Sequence, residues 1–305
     1  MTGLLTTAGV AVQELPITFD CQGSQLVGMV HLPAEIRGRG LLCLVAGGPQ
    51  YRGGFCRMQL KLARELAVLG IPVMRFDYRG LGDSEGEFPG FTGTTQDIAA
   101  ALQAFAQHVP GMREVVFWGG CDAASATMIN AWRFPQVTGV VVANPWVHSQ
   151  DSGDAVAVQH FSRRMRDADF WLKLVRLQYN PLPAAMTLLR AGIKRAGAAL
   201  GVAGGKTAAE QDDPALPFQT RMRIGLSRFQ GDMLLLMSGR SLLSQEFDHL
   251  VETDPAWQAA MRAPRHVVRH DLPEGDQAFS TQDTREEVDR ITRLWMQDPH
   301  AKLAS

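Results

Sequence analysis

Val115-Val116-Phe117-Trp118-Gly119-Gly120-Cys121-Asp122-Ala123-Ala124-Ser125 passes from bulky apolar residues into small ones. Its first half suits a strand buried on both faces, and its second half opens a helix. Between them, Gly119-x-Cys121-x-Ala123 has the form small-x-nucleophile-x-small. A turn this tight between strand and helix requires small residues two before and two after its apex. At a helix N-terminus the Cys121 thiol feels the positive end of the helix dipole, which favours the thiolate. The Asp122 carboxylate next door opposes this. The alternative is a buried strand ending in a Gly-rich turn with an inert cysteine, and this stretch by itself leaves both readings open.

Upstream, the pattern predicts an antiparallel hairpin, Glu14 to Cys21 and Gln25 to Leu32, about the turn Gln22-Gly23-Ser24. Leu41 to Ala46 is a continuous apolar run, a strand buried on both faces, and ends in Gly47-Gly48-Pro49-Gln50. Met58, Leu62, Leu66 and Leu69 mark one face of a helix closed by Gly70. Ile71 to Phe76 is the next strand, followed by Asp77-Tyr78-Arg79-Gly80-Leu81-Gly82-Asp83-Ser84. A helix from Thr95 or Gln96 to His108, the strand Glu114 to Trp118, a helix Ala123 to Trp132 and a strand Thr138 to Ala143 complete the rhythm. Such alternation argues for a mostly parallel sheet with helices on both faces.

The rhythm breaks over 150–230, which reads as a helical cap insertion between two core parts, 1–149 and 231–305. Val158, Phe161, Met165, Leu172, Val175 and Tyr179 fall on one helical stripe. A second helix is expected from Ala184 to Leu200, then a surface loop to Pro217. From Asp151 to Gln230 there are 12 Lys or Arg against 7 Asp or Glu. Solvated helix faces account for this balance, and a basic lid over an anionic or membrane-bound substrate is the sharper alternative. Strands Asp232 to Met237 and Arg265 to Leu272 and a final helix Thr284 to Met296 follow.

The 305 residues carry a formal net charge of −1, which gives no reason to expect nucleic acid as a partner. Cys21, Cys43, Cys56 and Cys121 form neither a disulfide framework nor a zinc-ligand spacing. Cys21 and Cys43 read as core fillers, and Cys56 opens a helix. The absence of Lys or Arg before Arg37 argues against a secretory leader, and no apolar run is long enough to span a bilayer. A cytoplasmic protein is expected. No phosphate loop, nicotinamide fingerprint or metal-ligand cluster is seen, so neither cofactor nor metal is expected. Oligomeric state is not readable.

The cysteine turn, Gly47-Gly48-Pro49 and Asp77-x-Arg79-Gly80-x-Gly82-x-Ser84 occur in the order of the α/β-hydrolase fold, which the chain resembles from about Glu14 to Gln297. More narrowly, Gly47 to Arg52, Arg75 to Gly80, Cys121 to Ala126 and Asn144-Pro145-Trp146-Val147 resemble the exosortase A system-associated hydrolase 1 family, bacterial proteins encoded with exopolysaccharide and protein-sorting systems. The resemblance implies an acyl-transfer site. Cys121 stands at the nucleophile position. The backbone N–H groups of Asp122 and Gly48 stand at the oxyanion-hole positions. Asp77 and Arg79 stand where the fold orders the adjoining loop. Ser241 holds the aligned place of the acid, with Glu246 and Asp248 close enough in sequence to reach back. Gly275-Asp276-Gln277-Ala278-Phe279-Ser280 matches the segment that bears the histidine, but glutamine stands in its place and cannot act as a base. His148, just beyond the strand before the insertion, is the best substitute, with an ordinary loop histidine as the alternative.

Two functions follow. One is slow hydrolysis or transfer of an ester or thioester acyl group, since a cysteine needs no base to attack but losing a general base typically costs about 10²–10⁴-fold. The other is a hydrolase-fold protein without turnover that binds a small acyl or lipid-like ligand or a partner.

Overall fold

The computed structural model describes residues 3–7, 10–46, 51–148 and 212–300. Nine strands form one sheet: β1 (Gly3–Thr7), β2 (Val10–Cys21), β3 (Ser24–Pro33), β4 (Arg39–Leu44), β5 (Val73–Phe76), β6 (Glu114–Gly120), β7 (Val137–Ala143), β8 (Asp232–Ser238) and β9 (His266–Leu272). Their order is β1-β2-β3-β5-β4-β6-β7-β8-β9. The first three strands and β5 pair antiparallel, and every pairing from β5 through β4 to β9 is parallel. The described helices are α1 (Met58–Val68), α2 (Thr95–His108), α3 (Asp122–Asn130), α4 (Phe218–Arg228), α5 (Leu242–Thr253), α6 (Pro255–Ala260) and α7 (Gln282–Gln297).

Strand alternation sorts the apolar runs onto two faces. Leu41, Cys43, Val116, Trp118, Val141, Leu234 and Leu236 pack with Leu62 and Leu66 of α1 and Val288, Ile291 and Trp295 of α7. Leu42, Leu44, Phe117, Val140, Val142 and Leu235 pack with Ile98 and Phe105 of α2, Met128 of α3, Met222 of α4 and Phe247 of α5. Each such aliphatic side chain, fully buried, contributes about 1.5–3 kcal/mol, so the apolar runs fix both faces.

The expected sheet and its covering helices are present, with differences of detail. The hairpin is longer than its apolar alternation indicated, and β1 adds a strand. Helices α4, α5 and α6 were not separately anticipated. α4 falls inside the span read as an insertion, yet Met222 and Leu226 are buried in the core beside α3. The expected helices between Val158 and Leu200 lie outside the described residues. Among the described helices, none is long and apolar enough to cross a membrane.

The connection from β4 to β5 runs through α1 on one face and that from β5 to β6 through α2 on the other. The carboxyl ends of neighbouring β4 and β6 therefore flank the point where the strand order reverses, the crevice in which open α/β sheets hold ligands.

Candidate active site

Cys121 follows β6 at this crevice, with φ 58° and ψ −124°. That left-handed φ is uncommon outside glycine and is maintained by the structure around it. The Cys121 N–H donates to Ala143 O at 2.9 Å, and its carbonyl accepts from Trp146 N–H at 3.2 Å. A side chain at Gly119 would run into the Ala123 carbonyl oxygen and Thr127 Oγ1, which is why the position must be glycine.

Burial, then the Asp122 carboxylate, push the Cys121 thiol above its ordinary value, while hydrogen bonds from the Gln277 side chain and the Asp122 backbone pull it down. The opposition expected from the Asp122 carboxylate is among these causes, and desolvation of the charged sulfur is the largest of them.

Gln277 is held at both ends of its amide. Ser241 Oγ donates to its Oε1, and its Nε2 donates to Asn144 O at 3.1 Å. Ser241 also caps α5, accepting from Ser244 N–H at 3.1 Å. Beneath them Asn144, buried and at φ 46°, ties three segments together. Its Oδ1 accepts from Ser238 N–H at 2.8 Å and Ser244 Oγ at 2.9 Å, and its Nδ2 donates to Ser238 Oγ at 2.9 Å and Gln277 O at 3.2 Å. Asp276 orders the same loop by accepting from Ala278 and Ser280 N–H, and its carboxyl is held below the usual range, chiefly by the Ser280 hydroxyl.

Of the candidates weighed for the acid, Ser241 is the one that touches Gln277. Glu246 instead meets His148: Nδ1 lies 3.0 and 3.1 Å from the two carboxylate oxygens. Glu246 is buried and His148 half-exposed, and His148 stands two residues beyond the Trp146 that bonds Cys121. Asp248 pairs with Arg269 at 2.7 and 2.9 Å. Asp77 holds Arg52 through both backbone and side chain and accepts from Asp83 N–H at 3.1 Å, while Arg79 is forked onto Asp97. These contacts anchor the segment just after residues 47–50. Gly48 itself, with the oxyanion position it was expected to fill, lies outside the described residues. Cys56 sits exposed in a 3₁₀ turn before α1.

A pocket of about 120 Å³ opens on the thiol, walled by Ala46, Met58, Trp118 and Phe279, with Gln59 and Gln277 as its polar side chains. Asn144 entered the sequence reading only as part of a family motif, and Ser238, Ser244 and Gln59 had no role in it. Asn144 also offered a signal that the reading did not use, as a polar residue directly after a buried strand. Among the described residues, no group of three or more His, Cys, Asp or Glu is placed to hold a metal.

The family model described as "Serine aminopeptidase, S33" matches residues 38–191, half of the chain. No curated protein matches. Among solved structures, the esterase Pf2001 of Pyrococcus furiosus superposes with a TM-score of 0.60 at 12% identity, covering 93% of this chain and 92% of its own. Est1E of Butyrivibrio proteoclasticus, bound to ferulic acid, gives 0.56 at 13% identity over 94% and 100%. The esterase domain of a Rhodothermus marinus protein gives 0.55 at 15% identity over 93% and 97%. At these identities the likeness establishes the α/β-hydrolase fold.

Proposed function

The chain belongs to the serine aminopeptidase S33 family of α/β hydrolases, and from that premise we propose that it transfers the acyl group of an ester or thioester through Cys121, slowly. The observation that carries this reading is the order of contacts Ser241–Gln277–Cys121 at the strained turn after β6. A neutral pair stands where an acid and a histidine would orient and deprotonate a nucleophile. Glutamine donates a hydrogen bond to the sulfur and so favours thiolate, but it takes no proton. The esterases among the fold's relatives suggest the reaction class.

In the proposed reaction, Sγ attacks the carbonyl carbon, and the π electrons move to oxygen, which accepts from the N–H of Asp122 and, by resemblance, of Gly48. Collapse breaks the bond to the leaving alcohol or thiol, which departs with the thiol's proton. Water then attacks the S-acyl carbon, breaking the S–C bond; one of its protons passes to a base and the sulfur is reprotonated. His148 is our candidate for that base. Glu246 orients it through Nδ1, as carboxylates orient catalytic imidazoles, which leaves Nε2 for a water. The finer kinship with the exosortase-associated hydrolases belongs to this proposal.

Intact-mass spectrometry after mixing with a short activated ester tests the reading. An acyl adduct is expected that persists for many minutes, is absent from Cys121→Ala, and lasts longer still in His148→Gln. A second reading, a binding protein without turnover, has one feature in its favour: burial pushes the thiol above its ordinary value. Equal ester consumption by the parent and Cys121→Ala would reject the nucleophile. No adduct on a cysteine that iodoacetamide still alkylates would favour binding.

A further inference from the structure

Two glycines stand side by side at the end of β6, and the fold requires only one of them. A side chain at Gly119 would run into the Ala123 carbonyl oxygen. Gly120 is under no such constraint. Its φ is outside the left-handed region, and an added Cβ would come no closer than 3.5 Å to any atom beyond its chain neighbours, an ordinary van der Waals contact. Glycine weakens a strand. Where neither a turn nor a clash demands it, it marks a place that another group approaches closely.

Such a group has somewhere to lie. Gly120 is half-buried and, with Trp118, lines the pocket that opens on Cys121. Residues 118 and 120 fall on the same face of β6. On that face Trp118 packs in one cluster with Met58 and Phe279, which line the same pocket. Trp118 Cη2 and Cζ3 lie 3.5 and 3.6 Å from the point that a Gly120 Cβ would occupy. A side chain at 120 would therefore stand in the cavity against the indole. Without one, that space is open to a ligand.

The lining decides the ligand's chemistry. Among the described residues that wall the pocket, Cys121 is the only ionisable one, and Gln59 and Gln277 carry no charge. A charged group enclosed here would lack a counter-charge, so the ligand is neutral along its length. Size limits it as well. A cavity of roughly 150 Å³ holds benzene. In proportion, about 120 Å³ holds about five heavy atoms, the count of a butanoyl group.

Resting on the acyl-transfer reading above, we propose that the pocket takes a short, uncharged aliphatic acyl chain, of butanoyl size, which lies against the Trp118 ring in the space that Gly120 leaves. Gly120 is then a specificity-determining residue: it makes room for the chain and takes no part in the attack by Sγ.

The test compares acetyl and butanoyl N-acetylcysteamine thioesters, with labelling of Cys121 followed by intact mass and each rate divided by that of free cysteine. The label forms as Sγ displaces the thiol of N-acetylcysteamine, which leaves with the Cys121 proton. A methylene taken out of water is worth about 4-fold, so two more of them should make butanoyl faster by about 10-fold. In Gly120→Ala that ratio should fall to about 3, and in Gly120→Val to about 1, as added methyl groups take the chain's place. Circular dichroism and iodoacetamide alkylation of Cys121 establish that each variant is folded with an accessible thiol, and the alanine variant suffices where valine does not fold. A ratio near 1 in the parent, or a parental ratio that persists in the folded variants, overturns the inference and leaves acyl transfer standing. Equal slowing of both thioesters by Gly120→Ala overturns it too, because the methyl then disturbs the turn rather than filling the pocket. No labelling by either thioester, on a cysteine that iodoacetamide modifies, removes the acyl-transfer reading and this inference with it.

Discussion

At Cys121 the opposing influences on one sulfur are individually removable. Burial and the Asp122 carboxylate raise the thiol, and the Gln277 amide lowers it. Asp122→Asn keeps the backbone N–H and removes the charge, so the midpoint of iodoacetamide alkylation against pH should move down. Gln277→Ala removes the donor and should move it up. An unmoved midpoint in both would mean that burial alone sets the thiol. A base at position 277 is a separate matter, because an imidazole there needs an orienting acid. Gln277→His alone faces a serine at 241 and should speed loss of the acyl adduct by less than about 10-fold. Ser241→Asp alone buries a carboxylate against the Gln277 oxygen and should destabilise the fold. Together the two should cooperate, reaching into the 10²–10⁴-fold range that a general base supplies. Additive single effects would mean the two side chains do not act as a pair.

At the scale of elements, the site depends on how the ends of β7 and β8 and the loop after β9 are fastened, and Asn144 is the fastening. Asn144→Ala leaves the Ser238 N–H and the Gln277 carbonyl without this partner in a buried place, and puts alanine at a left-handed φ. The expected loss is about 3–5 kcal/mol in denaturant unfolding. Asn144→Gly relieves the backbone and should recover only about 1 kcal/mol of it. Such a fastening is hard to see in a sequence. The strands were legible because Leu41–Leu44, Val115–Trp118 and Asp232–Met237 declare burial by local apolarity, and the turn at Cys121 because Gly119 and Ala123 satisfy a local steric rule. The partners of Asn144 lie 94 to 133 residues away, and its φ follows from the fold. His148 and Glu246, 98 residues apart, were legible as separate candidates for base and acid but not as a pair. Ser241 and Gln277 were located by resemblance, since neither residue type declares a catalytic position. The upward shift of the thiol comes chiefly from burial, which the local sequence does not declare.

The whole molecule also carries two buried ionisable groups whose effects on stability oppose each other. Asp289 of α7 lies under α1 with Oδ1 unpartnered. Burial, then Glu65, raise its carboxyl to about 7, against the pull of Arg293, Lys61 and Arg285. His31 of β3 is enclosed between Arg75 and Glu14, and burial, then Arg75, lower it to about 3. An acid that stays protonated to about pH 7 in the fold but ionises near 4 in the unfolded chain lowers stability as pH rises through that window. A histidine kept neutral to about pH 3 but protonated below about 6.5 when unfolded lowers stability as pH falls through its own window. Between about pH 4 and 6.5 the slopes oppose, and the parent's stability should change little with pH. Asp289→Asn removes one of them. It should raise Tm at pH 8, by a stabilisation of up to about 4 kcal/mol for a shift of about three pKa units, and the gain should shrink to nothing near pH 4. Below pH 6.5 the variant should then show the histidine's slope alone, losing stability steadily on acidification while the parent does not. Thermal melts of both proteins across pH 4 to 8 read this directly, and a gain that stays constant with pH would assign it to packing of the asparagine and remove the ionisation of Asp289 as its cause.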